Sequence, residues 1–344
     1  MSQGQQPENK DLAYYCQRFL ELNVSRTKKG EAPYQPILLL SVIDLIAQGL
    51  IQANHIHITK ELRTTFNKYR NILSPDRTFD SSLSMPFFHL QNEEHQFWHL
   101  DYKDEYYRDI SSTTEKIIND KIRKSIEQIE NYVNHAYIDQ ELFNLLQDDD
   151  SRKELVDTLV AKWFTLSEDI GGNKTEYLLK ANKAFHDSIQ KEIKRLKKSN
   201  KLAQKFYFRK SAAREAVFGQ TVIGIYDYKC AFCRLKVSTS LNRNIVDGAH
   251  IEPFAISFNN EITNGISLCK NHHWAFDKGW FSITDNYKII ISNDLQEESP
   301  HTREMRKFHG EDILLPDSKK YDPDQYYPSH NSLKWHRKKW RFQI

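Results

Sequence analysis

The chain has little of what would place it in a membrane or outside the cell. None of its apolar runs approaches the ~18 residues that a membrane-spanning helix needs. Its opening, Met1-Ser-Gln-Gly-Gln-Gln, lacks the apolar centre of a secretory signal, so a soluble, cytoplasmic protein is expected. Cysteine is scarce as well: there are four. Three of them crowd into one stretch and leave Cys16 by itself, which implies no disulfide framework. There is no internal repeat and no low-complexity tract. Neither sign of charge dominates, with 49 Lys and Arg against 46 Asp and Glu. The net charge of +3 therefore says less about partners than its distribution does.

What is present suffices for ordinary globular domains. Hydrophobic residues make up 39% of the 344, aromatics 12% and charged residues 28%, and this length predicts two or three domains. The densest chemistry lies between Cys230 and Trp280. It begins Cys230-Ala-Phe-Cys233 and ends Asn264-Gly-Ile-Ser-Leu-Cys269-Lys-Asn-His272-His273-Trp-Ala-Phe-Asp277, with Val246-Asp247-Gly-Ala-His250-Ile251 between. A C-x2-C and a C-x2-H, 35 residues apart, can bring three thiolates and one imidazole onto one tetrahedral zinc. Buried free cysteines are common in cores, but two knuckles of metal-ligand spacing favour the metal. Cys230, Cys233, Cys269 and His272 are the expected ligands of a structural Zn2+.

The zinc reading leaves His250, Asn264 and His273 unexplained. The stretch resembles an HNH nuclease site, in which two strands and a helix are clamped by zinc. His250, Asn264 and His273 match the family's H, N and H, at intervals of 14 and 9 residues. Hydrolysis of a phosphodiester needs an activated water and an electrophile on the phosphate. His250 can serve as general base because a neutral imidazole titrates near working pH. His273 can hold a catalytic Mg2+ or Mn2+, and Asp277, four residues on, shares its face if the segment is helical. The resemblance implies that Asn264 orients the loop carrying the base. Many relatives place a metal-binding His or Asp directly before the base. This chain has Ala249 there, and Asp247 is the candidate substitute.

Towards the N-terminus, Leu12, Tyr15, Cys16, Phe19 and Leu20 recur at helical spacing. Ala32-Pro33-Tyr34-Gln35-Pro36 then feeds the apolar run Ile37 to Ile46, which predicts a buried helix with Pro36 at its start and Gly49 at its end. A further helix is expected from Thr59 to Tyr69, and a short hairpin through Phe97-Trp98-His99-Leu100. Together with Ser84-Met85-Pro86-Phe87-Phe88-His89-Leu90, this pattern resembles the sulfur-binding domain of type IV restriction endonucleases that recognise phosphorothioated DNA. The segments Asp139 to Leu146 and Arg152 to Phe164 fit that domain's closing helices.

Sulfur in place of a non-bridging phosphate oxygen is larger and less hydrophilic, so its reader should offer an apolar pocket with cations gripping the rest of the phosphate. The resemblance implies a pocket from Pro33, Tyr34 and Gln35 with Met85, Pro86 and His89. Relatives often carry His-Arg or His-Lys where this chain has Tyr34-Gln35, and Arg26, Lys28 and Lys29 are candidates to compensate. The prolines can equally be turn-shaping residues around a core.

From Glu168 to about Asn200 a long polar helix is expected, with Gly171-Gly172-Asn173 as a joint. Lys191 to Arg214 holds ten Lys or Arg against the single acid Glu192, with Phe206, Tyr207 and Phe208 among them. Such a run is usually a solvated face; ahead of a nuclease module it suits salt-dependent contact with phosphates. A strand pair is expected from Phe281 to Ser292. The tail from Trp335 to Trp340 suits either core packing or DNA contact.

The expected fold class is α+β: a mostly helical reader of modified DNA (1–166), a basic helical linker (167–204) and a ββα-metal nuclease domain (205–344). The function this implies is a modification-dependent restriction endonuclease that recognises phosphorothioated double-stranded DNA. A homodimer is expected because one HNH site cuts one strand. Two other readings stay open. One is an HNH nuclease reading a methylated base, for which Tyr34, Phe87 and Phe88 would supply an aromatic cage. The other is a catalytically inactive zinc-containing DNA-binding regulator.

Overall fold

The computed structural model describes residues 10–27, 30–74, 82–112, 114–164, 174–199, 211–238, 244–299 and 302–343. Lys28 and Lys29, the Gly171-Gly172-Asn173 joint and the basic aromatic stretch at 206–208 lie outside them. The fold is α+β, in two compact units. One comprises Met1–Thr165 with Lys210–Ala216, the other Leu166–Arg209 with Val217–Ile344. No helix among the described residues is long and apolar enough to cross a membrane.

The first unit contains, in order, α1 (Leu12–Leu20), β1 (Ser25–Thr27), β2 (Gly30–Ala32), α2 (Tyr34–Ala47), α3 (Lys60–Leu73), α4 (Ser84–His89) and β3 (Trp98–Tyr102). There follow α5 (Asp104–Ser112), α6 (Glu115–Ile122), α7 (Ile126–Tyr132), β4 (Val133–Ile138), α8 (Gln140–Leu145) and α9 (Asp149–Trp163). Helix α1 starts where Asp11 accepts the Tyr14 N–H, and α3 where Thr59 accepts that of Leu62; both are side-chain N-caps. Helix α2 is buried on all sides from Tyr34 to Ile46 and packs against α3, α4 and α9. It begins ahead of the apolar run, so Pro36 sits inside its first turn, where no backbone donor is needed. Gly49, at φ +71°, follows its end in the left-handed conformation that glycine adopts most readily.

The hairpin expected through Phe97–Leu100 does not form locally. Strand β3 instead pairs antiparallel with β4, Trp98 opposite Ile138 and Leu100 opposite Ala136, with α5 to α7 inserted between. The stretch directly after Tyr102 offers no glycine, proline or asparagine for a tight turn, whereas Val133, Ala136 and Ile138 give β4 its buried positions. Asp139 then draws the unit together, accepting from Lys10 at 2.6 Å and Tyr15 at 2.9 Å and pairing with His99 at 2.9 Å.

The elements that follow are α10 (Lys174–Ser199), α11 (Ala212–Ile225), β5 (Val246–His250), α12 (Phe254–Ser257), β6 (Gly265–Cys269), α13 (Lys270–Asp277), β7 (Phe281–Ile283), β8 (Ile289–Ile291), α14 (Pro323–Tyr326) and α15 (His330–Lys339). The opening residues of α11 count with the first unit, and all the rest of this series belongs to the second. Strands β5 and β6 pair antiparallel, His250 opposite Gly265 and Val246 opposite Cys269. Helix α11 lies so close on this pair that a Cβ on Gly248 would fall 2.6 Å from the Gly219 carbonyl oxygen. One on Gly265 would fall 2.5 Å from Val222. Both strands therefore carry glycine where the helix crosses.

The expected strand pair after Phe281 forms as β7 and β8. Helix α15 packs on the core, one of the two expectations for the tail, while its Lys334, Lys338 and Lys339 stay exposed. His336 lies flat on Phe276, centroids 3.7 Å apart, and Arg337 donates to the Ile283 carbonyl at 2.7 Å.

Candidate functional site

The densest group of metal-ligating side chains joins a knuckle to a helix start. Backbone bonds from Cys230 N–H to Leu235 O (2.9 Å) and from Arg234 N–H to Cys230 O (2.8 Å) fold the Cys230–Cys233 knuckle. Cys269 ends β6 and caps α13, which puts His272 in the helix's first turn. The ligand atoms of Cys230, Cys233, Cys269 and His272 all lie within 4.8 Å of one another. His272 turns Nδ1 inward, 3.0 Å from the Cys269 sulfur and 3.7 Å from that of Cys230, and stacks on Phe232.

Crowding makes these groups share protons. Hydrogen bonds with Cys230 and Cys233 pull the Cys269 thiol far below its ordinary range, while those with Cys233 and Cys269, and burial, push Cys230 up. Burial would lower His272, but the Cys233 and Cys269 sulfurs outweigh it and raise the imidazole to about 9. A closed set of three sulfurs and one imidazole nitrogen fits a divalent cation, which replaces the shared protons.

The candidate catalytic residues sit around the β5–β6 hairpin. His250, at the end of β5, stacks on Phe218 with centroids 3.7 Å apart and planes 5° apart. Its Nε2 is 3.1 Å from Asn260 Oδ1. Asn264 is fully buried and holds the loop after His250. It accepts the Glu252 N–H at 2.9 Å and donates to the Glu252 and Asn259 carbonyls at 2.9 and 3.2 Å.

His273, on α13, stands between two carboxylates. Its Nδ1 is 3.3 Å from Asp247 and its Nε2 3.6 Å from Asp277, so each carboxylate addresses a different ring nitrogen. Asp247 also takes Lys270 at 2.7 Å. The structure thus joins Asp247 and Asp277 to His273 from opposite edges and does not converge all three on one point. Among the described residues, the group of three cysteines and His272 is the one set of three or more such side chains whose ligand atoms converge.

Sequence reasoning missed the contribution of α10. Asn182, His186 and Gln190, four residues apart, face the segment 258–261. Their regular polar spacing was the available signal, but nothing in the sequence pairs a helix with a distant loop.

The residues expected to read sulfur lie on α2 and α4, which pack together. Pro33 precedes α2. Tyr34 and Gln35 are each 7% exposed, and Gln35 donates to Glu93 at 2.9 Å, which itself receives the Asn23 N–H. Burial raises the Glu93 carboxyl. Pro86 is buried and Met85 half-buried. His89 borders a cleft of about 360 Å³, shared with Phe88, Asn92, Glu115, Lys116, Asn119, Asp120 and Arg123, in which Arg123 pairs with Asp120 at 2.8 Å. Burial, then the Arg123 charge, lowers the His89 pKa, so its ring is neutral at physiological pH. Lys116 and Arg123 are cations that the sequence pattern did not mark. Tyr34, Phe87 and Phe88, the candidate aromatic cage, are 7%, 1% and 3% exposed and are largely spent on the core.

Residues 13–170 match the family described as ScoMcrA-like, DNA sulfur-binding domain, and residues 230–284 match HNH endonuclease. No curated protein matches the chain. Among solved structures, the chain is similar to a modification-dependent TagI restriction endonuclease at 19% identity and a TM-score of 0.28. The match covers 36% of each chain, so it spans little more than a third of that protein's length. The chain is thus similar to a DNA sulfur-binding domain over one stretch and to an HNH endonuclease over a later one.

Proposed function

We propose that the protein is a cytoplasmic restriction endonuclease that binds phosphorothioated double-stranded DNA through its first unit and hydrolyses nearby phosphodiester bonds with its second. The observation that carries the reading is one chain holding both a match to the sulfur-binding family and a ββα hairpin-and-helix bearing His250, Asn264 and His273. His250 takes the proton of the attacking water. Asn264 keeps the loop after His250 closed, and His273 with Asp247 would hold Mg2+ or Mn2+, with Asp277 on the far edge of the ring. Once bound, that cation would supply charge stabilisation for the developing negative charge. Zn2+ on Cys230, Cys233, Cys269 and His272 fixes α13 to the knuckle and takes no part in the chemistry.

On the reader side, α2 and α4 give the apolar wall through Pro33, Tyr34, Met85 and Pro86, with Gln35 braced behind it by Glu93. His89 marks the edge where the wall meets the cleft. Lys116 and Arg123 in that cleft stand in for the cation that relatives carry at Tyr34-Gln35, and grip the phosphate. A homodimer supplies the two sites that a double-strand break requires. Light scattering would then give twice the 40.7 kDa chain mass, whereas a monomer yielding only nicked circles would rule that arrangement out.

Digestion of phosphorothioated and unmodified plasmid side by side, with Mn2+ added, tests the function. Cleavage of the modified plasmid alone is expected. Cleavage of a methylated plasmid instead would turn the reading to a methyl-base reader, and binding without cleavage of any DNA would turn it to a regulator.

A further inference from the structure

Beyond the loop held by Asn264, the hairpin carries a second polar network. Asn260 is fully buried and Asn182, on α10, is 2% exposed. Two hydrogen bonds join them: Asn182 Nδ2 donates to the Asn260 backbone carbonyl at 2.8 Å, and Asn260 Nδ2 donates to Asn182 Oδ1 at 2.7 Å. All the directions follow from one group. A backbone carbonyl can only accept, so Asn182 turns its amide nitrogen toward it and its oxygen toward the Asn260 side chain. Asn260 then meets that oxygen with its own nitrogen, which leaves Asn260 Oδ1 facing His250 Nε2 at 3.1 Å. An amide oxygen also only accepts. A neutral His250 must therefore carry its proton on Nε2, and its basic lone pair is on Nδ1.

We propose that Asn260 is a positioning residue that fixes the Nε2–H tautomer of His250, and that Asn182 fixes the amide of Asn260. The rest of this face of α10 braces the same segment: His186 Nδ1 accepts the Asn260 N–H at 3.3 Å, and Gln190 donates to the Phe258 carbonyl at 3.2 Å. Asn182 lies outside the stretch 230–284 that matches HNH endonuclease, so the preceding helix completes the module's geometry. The consequence for cleavage rests on the proposed role of His250 as base. An imidazole with its proton on Nδ1 would offer the water a donor where an acceptor is needed, and a wrongly held tautomer disables an imidazole base. The tautomer itself depends on no substrate.

The test is the 15N NMR spectrum of the imidazoles in the full-length chain at neutral pH, with His250 identified by difference from His250→Gln. Wild type should show the Nε2–H form alone. Asn182→Ala, which frees the Asn260 amide to turn, should show mixed tautomers. Its nicking of phosphorothioated plasmid should fall about 10-fold, the loss typical for a partner that orients a functional imidazole, with DNA affinity unchanged. Asn182→Ala/Asn260→Asp should restore the Nε2–H form and most of the nicking, because a carboxylate accepts through either oxygen. Its charge should also move the acid limb of the pH profile upward. A merely structural role predicts no rescue, since the aspartate has lost the Nδ2 donor.

A wild-type Nδ1–H form, an unchanged tautomer in Asn182→Ala, or a double variant no better than the single would each overturn the proposal. If Asn182→Ala does not fold, the wild-type spectrum still decides between the two tautomers. If the wild-type chain cuts no plasmid, the nuclease reading fails while the spectrum still judges the tautomer.

Discussion

Asn264 holds Glu252 by both of its backbone groups, accepting the N–H and donating to the carbonyl, each at 2.9 Å. One buried amide thereby closes the chain two residues beyond His250. Asn264→Asp keeps the size of the side chain and removes its donor, setting a carboxylate against the Glu252 and Asn259 carbonyls. Plasmid cleavage should fall at least about 10-fold, as expected for loss of an orienting partner, while zinc content and DNA affinity hold. Wild-type rates in this variant would mean that the loop does not need the clamp.

His336 gives the second unit an acid weakness. Burial between Phe276 and Ser282 lowers its pKa from 6.5 to about 4, with Ser282 at 2.8 Å and the Phe276 carbonyl at 3.0 Å. An unfolded chain takes up this proton near pH 6.5 and the folded one does not. The stabilisation is thus complete above that pH and drains away as pH falls toward 4. Melting between pH 7 and 4.5 should show a steeper decline for wild type than for His336→Gln. Parallel curves would remove His336 from the account.

The elements around Cys230 to Trp280 were legible in the sequence because their chemistry is local. Cys230 and Cys233 announce one metal knuckle, and Cys269 and His272 the other. The helix containing Ile37 to Ile46 was legible too, since nothing but burial accommodates such a run. The misses share one cause, which is partnership over long sequence separation. Trp98 faces Ile138 across three intervening helices, where a local hairpin was expected. Asn260 reads in sequence like any loop asparagine, because Asn182, which sets its amide, is 78 residues away. Asp44 reads as the one charged residue in an apolar helix, since the backbone it binds lies far along the chain.

Asp44 has the opposite pH signature. It is fully buried and accepts the Ala212 and Ala213 N–H groups at 2.7 and 3.4 Å, along with the Tyr69 hydroxyl. Burial raises its carboxyl from 3.8 to about 7 despite those bonds. Between these values the folded chain keeps a proton that the unfolded chain has lost. Stability therefore falls as pH rises through this window, by up to about 1.4 kcal/mol per pH unit. Asn at this position cannot titrate, so the gap between Asp44→Asn and wild type should change steadily from pH 4 to 7 and level off above. A gap independent of pH would contradict the assignment.

The cysteine cluster predicts one firmly held zinc per chain. Cys233→Ser should lose both the metal and solubility, because a closed zinc site contributes directly to folding. Elemental analysis of wild type showing less than about half an equivalent of zinc would refute the metal site.

Whether the first unit reads sulfur decides the proposed function. The direct measurement is the affinity of full-length His250→Ala, which should bind without cutting, for three duplexes of one sequence: two carrying a single phosphorothioate, one of each stereochemistry, and their oxygen counterpart. A fixed pocket can face only one non-bridging position. One diastereomer should therefore bind more tightly by about 1–3 kcal/mol, the usual cost of burying an oxygen without full hydrogen bonding, and the other should match the oxygen duplex. Equal affinity for all three would contradict the claim.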